Sequence, residues 1–291
     1  MLIKSVVNKR MILGENPLWD VNQQRIYWID IIDQKIMRCT EDGQEYYQWD
    51  APSIIGAMAL RSDDTALVAL KSGFYFFDFN KNEWSDPVIK FINPPNTRLN
   101  DGKVDRQGRF ICGSMDLSEQ SPSAILYRID ADLSLHVLQK DIIVSNGPCW
   151  NVEGSTFYFG DSPTGIIWRY DYDKITGNIS NRSLFTQVDT KQGTLVDGAT
   201  VDEDGYIWSA QVFGGKIVRY TPSGKIDRTI EMPTKNITSV MFGGSNLDIL
   251  FVSSMATPPL SQQMNHSVKT GTIYAVYGLG VRGVPEVRFI G

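Results

Sequence analysis

Oxygen- and amide-bearing side chains recur at one offset along this 291-residue chain. Glu15, Asn100, Asn146 and Asp197 each stand two places before a short segment that ends on Asp or Asn: Pro17-Leu-Trp-Asp20, Gly102-Lys-Val-Asp105, Pro148-Cys-Trp-Asn151 and Ala199-Thr-Val-Asp202. Gly56 and Ile237 hold the same place before the weaker copies Met58-Ala-Leu-Arg61 and Ser239-Val-Met-Phe242. A fold that brings equivalent positions to one point would gather two carboxylates and two amides there. Two converging carboxylates repel, and one pKa rises, unless a cation sits between them. The donors are all hard, which suits calcium, magnesium or manganese and still admits zinc or ferrous iron. A set of three, Glu15, Asn146 and Asp197, or of four with Asn100, leaves coordination positions for water or substrate, as in a catalytic metal site. Singly, Asn146-Gly147, Asp197-Gly198 and Asn100-Asp101-Gly102 are ordinary turn sequences. The set in register is what points to a site, and the same count leaves Gly56 and Ile237 as two sides without polar reach.

The elements that must position these residues follow from the repeat. The segments start at 17, 58, 102, 148, 199 and 239, spaced by 41, 44, 46, 51 and 40 residues. Each leads into a strongly β-type stretch, such as Arg25-Ile-Tyr-Trp-Ile-Asp30, Thr156-Phe-Tyr-Phe-Gly-Asp161 or Tyr206-Ile-Trp-Ser-Ala-Gln211, and then into a second, such as Gly165-Ile-Ile-Trp-Arg-Tyr170. Val, Ile, Tyr, Phe and Trp dominate them. Asp42-Gly43, Gln107-Gly108, Asp204-Gly205 and Ser223-Gly224 separate them as turns. No segment of 12 or more residues carries a helical period. A unit of this length with several strands is the signature of a propeller blade. The expected fold is all-β, a six-bladed β-propeller forming one domain over residues 1–291, with the site on its axis. The last copy reaches the chain end with little sequence to spare, so the N-terminal segment Ser5–Met11 is expected to complete its blade. Two β-sandwiches joined near residue 145 would leave the six equivalent openings unexplained.

Composition narrows the partners. Net charge is -5 and the pI about 5.2, without a Lys/Arg cluster, which argues against nucleic acid and anionic membranes. No apolar run approaches the ~18 residues of a membrane helix, and the N-terminal stretch has no signal-like apolar region. Cys39, Cys112 and Cys149 are widely spaced, with no CxxC pair. They are expected to be packed in strands, in a cytoplasmic monomer or weak homo-oligomer. The four Asn-x-Ser/Thr matches carry no meaning in that setting. Of the two histidines, His136 reads as a strand residue and His266 as a surface loop residue. Trp19, Trp28, Trp150, Trp168 and Trp208 read as core, and Gly243-Gly244 as a turn. No GxSxG, Walker loop or GxGxxG is present, so serine-triad and nucleotide chemistry lack a carrier.

Five segments, Gly14–Asp20, Arg98–Asp105, Ser145–Asn151, Asp197–Ala210 and Ser239–Gly244, resemble the senescence-marker-protein/gluconolactonase family, which includes regucalcin and luciferin-regenerating enzymes. The resemblance runs from about Leu13 to Val276. It implies a six-bladed propeller with one divalent cation on Glu15, Asn146 and Asp197, substrate contacts from Arg98 and Asn100, and an acid/base role for Asp197. In many members an acidic residue after the third blade's Gly-Ser/Thr-Met segment holds sugar hydroxyls. Here Asp116 and Glu119 are both candidates. The implied activity is hydrolysis of a sugar aldonolactone to the aldonic acid. Another ester, thioester or phosphotriester hydrolysis on the same site, or a non-enzymatic calcium-binding propeller, are the competing readings.

Overall fold

The computed structural model describes residues 1–90, 94–256 and 271–291. Six antiparallel sheets surround one axis. Their innermost strands are Gly14–Asp20, Ile55–Leu60, Thr97–Val104, Ser145–Trp150, Leu195–Val201 and Ile237–Gly243. Each packs on the next, and the sixth packs on the first, which closes the ring. From this strand the first five blades run outward in chain order, and a short 3-10 turn, Ser162–Thr164, is the sole helical element among the described residues. The chain is a six-bladed β-propeller.

Burial explains the sequence pattern. A middle strand is covered on both faces by adjacent blades, so it runs apolar instead of alternating, and Thr65–Leu70 is buried at five of its six positions. Outermost strands such as Tyr47–Asp50 and Leu135–Ile142 are largely exposed. Trp28, Trp150, Trp208, Phe74, Phe77, Phe110 and Phe157 are fully buried between blades. Burying each phenylalanine contributes about 1.5–3 kcal/mol. Trp19 is buried too, whereas Trp168 is only partly covered. Cys39, Cys112 and Cys149 are buried and unpaired, each in a strand.

The Asp or Asn that ends each clear repeat ties the following turn. Asp105 Oδ1 accepts the Gln107 and Arg109 amides, Asn151 Oδ1 those of Ser155 and Thr156, and Asp202 Oδ1 those of Asp204 and Tyr206. These are Asx-type turns, which reach the strand beyond without a longer loop.

Two features of the ring differ from the sequence expectation. The strand that completes the sixth blade is Leu2–Ser5, paired from Leu2 with Tyr277 to Ser5 with Tyr274, and not Ser5–Met11. Val7 and Met11 turn inward instead and are buried in the core. Beyond Tyr277 the C-terminal tail crosses the axis at the end where the inner strands finish. The Phe289 and Ile290 amides donate to Leu60 O and Gly108 O, and Arg288 pairs with Asp20 at 2.6 Å. Glu286 reaches Lys103 at 3.7 Å, and Lys103 Nζ donates to Ala199 O at 2.8 Å. The opposite end carries the site.

Candidate functional site

Every innermost strand carries a register shift near its start: between Glu15 and Leu18, Ile55 and Ala57, Asn100 and Gly102, Asn146 and Cys149, Val196 and Ala199, and Ile237 and Val240. A bulge inserts an extra residue and re-aims its side chain, so six bulges at one level turn six short segments toward the axis. Asn16, Asp101 and Gly147, each the residue after a candidate ligand, have φ of 50°, 40° and 62°. At Gly56 the backbone of Leu99 comes so near that a Cβ would lie 2.4 Å from its carbonyl oxygen. That position must be glycine for the third blade to approach.

The bulges open onto a cavity of about 430 Å³. Glu15, Arg98, Asn100, Glu119, Asn146 and Asp197 all line it, with Ser162 and Thr238. Glu15, Asn100, Asn146 and Asp197 are buried, Arg98 is half-buried and Glu119 is exposed at the rim. A hydrogen-bonded chain joins four of the lining residues. Arg98 Nη1 donates to Asn100 Oδ1 at 2.8 Å, Asn100 Nδ2 to Asn146 Oδ1 at 2.9 Å, and Asn146 Nδ2 to Ser162 Oγ at 2.8 Å. Asn100 Nδ2 also donates to Ser145 O at 2.9 Å, so both of its amide hydrogens are engaged. Asn146 Oδ1 keeps one lone pair. Arg98 keeps the N–H groups beyond Nη1.

Three carboxylates lie close at the base. Burial, then the Asp101 charge, pushes the Glu15 carboxyl up to about 8. Asp197 is raised well above the carboxylate range, by burial first and then by Glu15 and Asp101. Burial also raises Asp101, although the Gly147 and Gly102 amides each donate to it at 2.7 Å. Arg98 is drawn down to about 10 by burial and remains cationic near neutrality. Among the described residues no three of His, Cys, Asp and Glu form a ligand cluster, and each Asp101 oxygen accepts a backbone amide. A cation here therefore needs an amide oxygen beside Glu15 and Asp197, and Asn146 Oδ1 is held in place to provide it. The donor set fits a hard divalent ion.

The predicted residues separate clearly. Asp116 does not line the cavity. It pairs across from Thr97 at the end of its strand, as Asp30 pairs with Gly14 and Asp161 with Ser145 at the ends of theirs, but two residues further from the bulge. All three fasten a neighbouring loop: Asp30 accepts the Ile12 and Leu13 amides, and Asp161 accepts that of Val144. Asp116 takes the Ser118 and Ser123 hydroxyls and the Gln120 and Ser121 amides, which hold its carboxyl at about 2. Glu119, at the far side of that turn, reaches the cavity. Ile237 is fully buried in core, and Thr238 faces the cavity in its place, hydrogen-bonded to Gly14 O and Ser253 Oγ. The count placed that blade one residue early. His136 lies on an outer strand beside Asp130, and His266 lies outside the described residues. Asp101, Ser162 and Thr238 escaped the sequence reading. Asp101 was the one with a visible signal, the Asn-Asp-Gly run itself.

An all-β propeller with hard donors from several blades converging at one end of its axis defines the class. Comparison with known proteins narrows it. The SMP-30/Gluconolactonase/LRE-like region family model matches residues 13–256, and the chain belongs to that family. Regucalcin from Danio rerio is 30% identical over 99% of this chain and 98% of its own length. The 6-deoxy-6-sulfogluconolactonase of Pseudomonas putida is 30% identical over 99% of each. The structure of a luciferin-regenerating enzyme superposes with a TM-score of 0.91 at 26% identity, covering 99% of this chain and 98% of that one.

Proposed function

We propose that this chain is a divalent-metal-dependent lactonase that opens a sugar aldonolactone to its aldonic acid. The observation that carries this is the cavity base, where Glu15 and Asp197 are held as buried, mutually repelling carboxylates beside Asn146 and the cationic Arg98. A divalent ion on Glu15, Asn146 and Asp197 would balance that charge and supply Lewis-acid polarisation of the lactone carbonyl. Asp197 takes the proton of the attacking water and returns it to the ring oxygen as the C–O bond breaks. The free N–H groups of Arg98 bind substrate hydroxyls. Asn100, with both amide hydrogens engaged, mainly fixes Asn146 and offers the substrate one acceptor lone pair. Relatives named as lactonases support the reaction class. No described helix is long and apolar enough to cross a membrane, and three unpaired buried thiols fit a reducing compartment such as the cytoplasm.

The test is a proton-release assay over freshly prepared pentono-, hexono- and deoxyhexonolactones, before and after chelation and metal add-back. Activity that is independent of metal, or turnover confined to non-sugar esters, would sink this reading. Two further outcomes are expected. Arg98→Ala raises KM about tenfold or more with a much smaller change in kcat, since it removes binding made in ground and transition state alike. A kcat loss at unchanged KM would move Arg98 into the chemistry.

Asp116 and Glu119 should part in the same assay. Asp116→Ala loosens the loop it ties and lowers Tm by about 3–6 °C, with KM unchanged below that temperature. Glu119→Gln leaves Tm alone and raises KM several-fold. The opposite pattern, read by thermal unfolding and saturation kinetics, would return the substrate contact to Asp116.

A further inference from the structure

We infer that the lactone this site takes carries an apolar exocyclic substituent, a deoxy or alkyl carbon in place of a hydroxymethyl group. The inference rests on the lactonase reading and specifies its substrate. Ten of the eighteen described residues that line the cavity are apolar. The polar residues Glu15, Asn100, Asn146 and Asp197 are buried at the base, whereas Ile12 and Ile32 are exposed. Ile12, Ile32, Met115, Leu195, Phe213 and Met255, from four blades and the N-terminal lead-in, form an apolar collar around the rest of the cavity. Ile12 and Ile32 are 41% and 45% exposed there, so the collar is open to an entering ligand. A lactone oriented with its carbonyl toward Glu15, Asn146 and Asp197 directs its exocyclic carbon at this collar. A hydroxyl directed at these side chains, away from Glu119 and Arg98, loses water and finds no partner, which weakens binding on the order of tenfold. A methyl or methylene there gains the burial instead.

A second observation is independent of the first. Phe213 has φ of 62° in the turn Phe213-Gly214-Gly215, between the strands Ile207–Val212 and Lys216–Tyr220. A bulky side chain in the left-handed region is an outlier. Glycine, the strain-free residue for that conformation, fills the next two positions but not this one. Strain of this kind persists where surrounding structure over-determines it, and it clusters at ligand clamps. Leu133 and Leu247 have comparable φ in turns that do not line the cavity, whereas Phe213 lines it. Phe213 is thus the specificity residue of the collar.

The experiment compares non-hydrolysable lactams with their lactones on the metal-loaded protein. Glucono-δ-lactam and its 6-deoxy analogue are titrated by calorimetry, and kcat/KM is measured for the matching lactones. The wild type is expected to favour the deoxy member about tenfold in both Kd and kcat/KM. Phe213→Gly brings both ratios to within about threefold of unity, with no fall in Tm because it relieves the backbone. Phe213→Asn, which also tolerates that φ, does the same. Tighter binding of the hydroxylated lactam, ratios unchanged in both variants, or binding of neither lactam overturns the inference. Turnover with the hydroxylated lactone preferred overturns it and leaves the lactonase reading standing. Selective lactam binding without turnover of any lactone does the reverse.

Discussion

Asp197→Asn is expected to lower kcat/KM for lactone hydrolysis by ~10²–10⁴-fold, the usual contribution of a positioned general base, while the protein stays folded and still takes up metal. The substitution suits the question because so little else changes. Asn fills the same volume, and an amide oxygen remains to accept the Gly198 amide that Asp197 accepts. That oxygen also remains a hard donor beside Glu15 and Asn146. What is lost is the ability to take a proton from water. The electrostatics give a second readout. In the metal-free protein Asp197 is raised by burial and by Glu15 and Asp101, so an uncharged residue there relieves repulsion. Metal-free Asp197→Asn should therefore unfold at the same or a higher temperature than metal-free wild type at pH 8. Low activity combined with a lowered Tm would indicate a damaged site. Wild-type turnover at full metal occupancy would remove Asp197 from the chemistry altogether.

The propeller was legible because its repeat lies in side-chain chemistry that a single sequence exposes. Asp20, Asp105, Asn151 and Asp202 close turns by hydrogen bonds that few other residues can make, so they punctuate the chain at blade intervals. The strands between them are apolar because neighbouring blades cover both faces. The site was legible only through that punctuation. Counting back from the turn residue reaches Glu15, Asn100, Asn146 and Asp197, all of which line one cavity. The count missed by one at Ile237, where no Asp or Asn marks the end of the segment and the bulge decides whether Ile237 or Thr238 turns inward. Bulges leave no residue signature of their own. Asp116 illustrates the converse limit. Its composition and place after Gly-Ser-Met matched a substrate contact, but its partners are Ser118, Gln120, Ser121 and Ser123, set by a loop path that only coordinates reveal. The apolar collar was invisible for a related reason, since Ile12, Leu195 and Met255 lie far apart in sequence and meet only on closing the ring.

Metal add-back is expected to raise Tm by about 5–8 °C at pH 8 when the ion is present at about a hundred times its Kd, and by far less at pH 5.5. The direction follows from the carboxylates at the cavity base. Glu15 titrates at about 8 in the metal-free fold against an ordinary value of 4.5. Between those values the folded chain holds a proton that the unfolded chain has released. Unfolding then releases protons, so stability falls as pH rises through this window. Asp101 and Asp197 are raised and add to the same trend. Asp116 is lowered to about 2 and contributes in the opposite sense, but its contribution is lost only as pH falls below 4. The metal-free protein should therefore be less stable at pH 8 than at pH 5.5. An ion at Glu15, Asn146 and Asp197 must displace the protons to bind, so its affinity rises with pH as theirs falls. Glu15→Gln keeps an oxygen donor but removes the group raised to about 8, and should flatten both the pH slope and the pH dependence of the metal response. Thermal unfolding of chelated and reloaded protein at the two pH values decides the matter. Equal metal shifts at both, or a metal-free protein more stable at pH 8, would mean that the buried carboxylates are not where the cation binds.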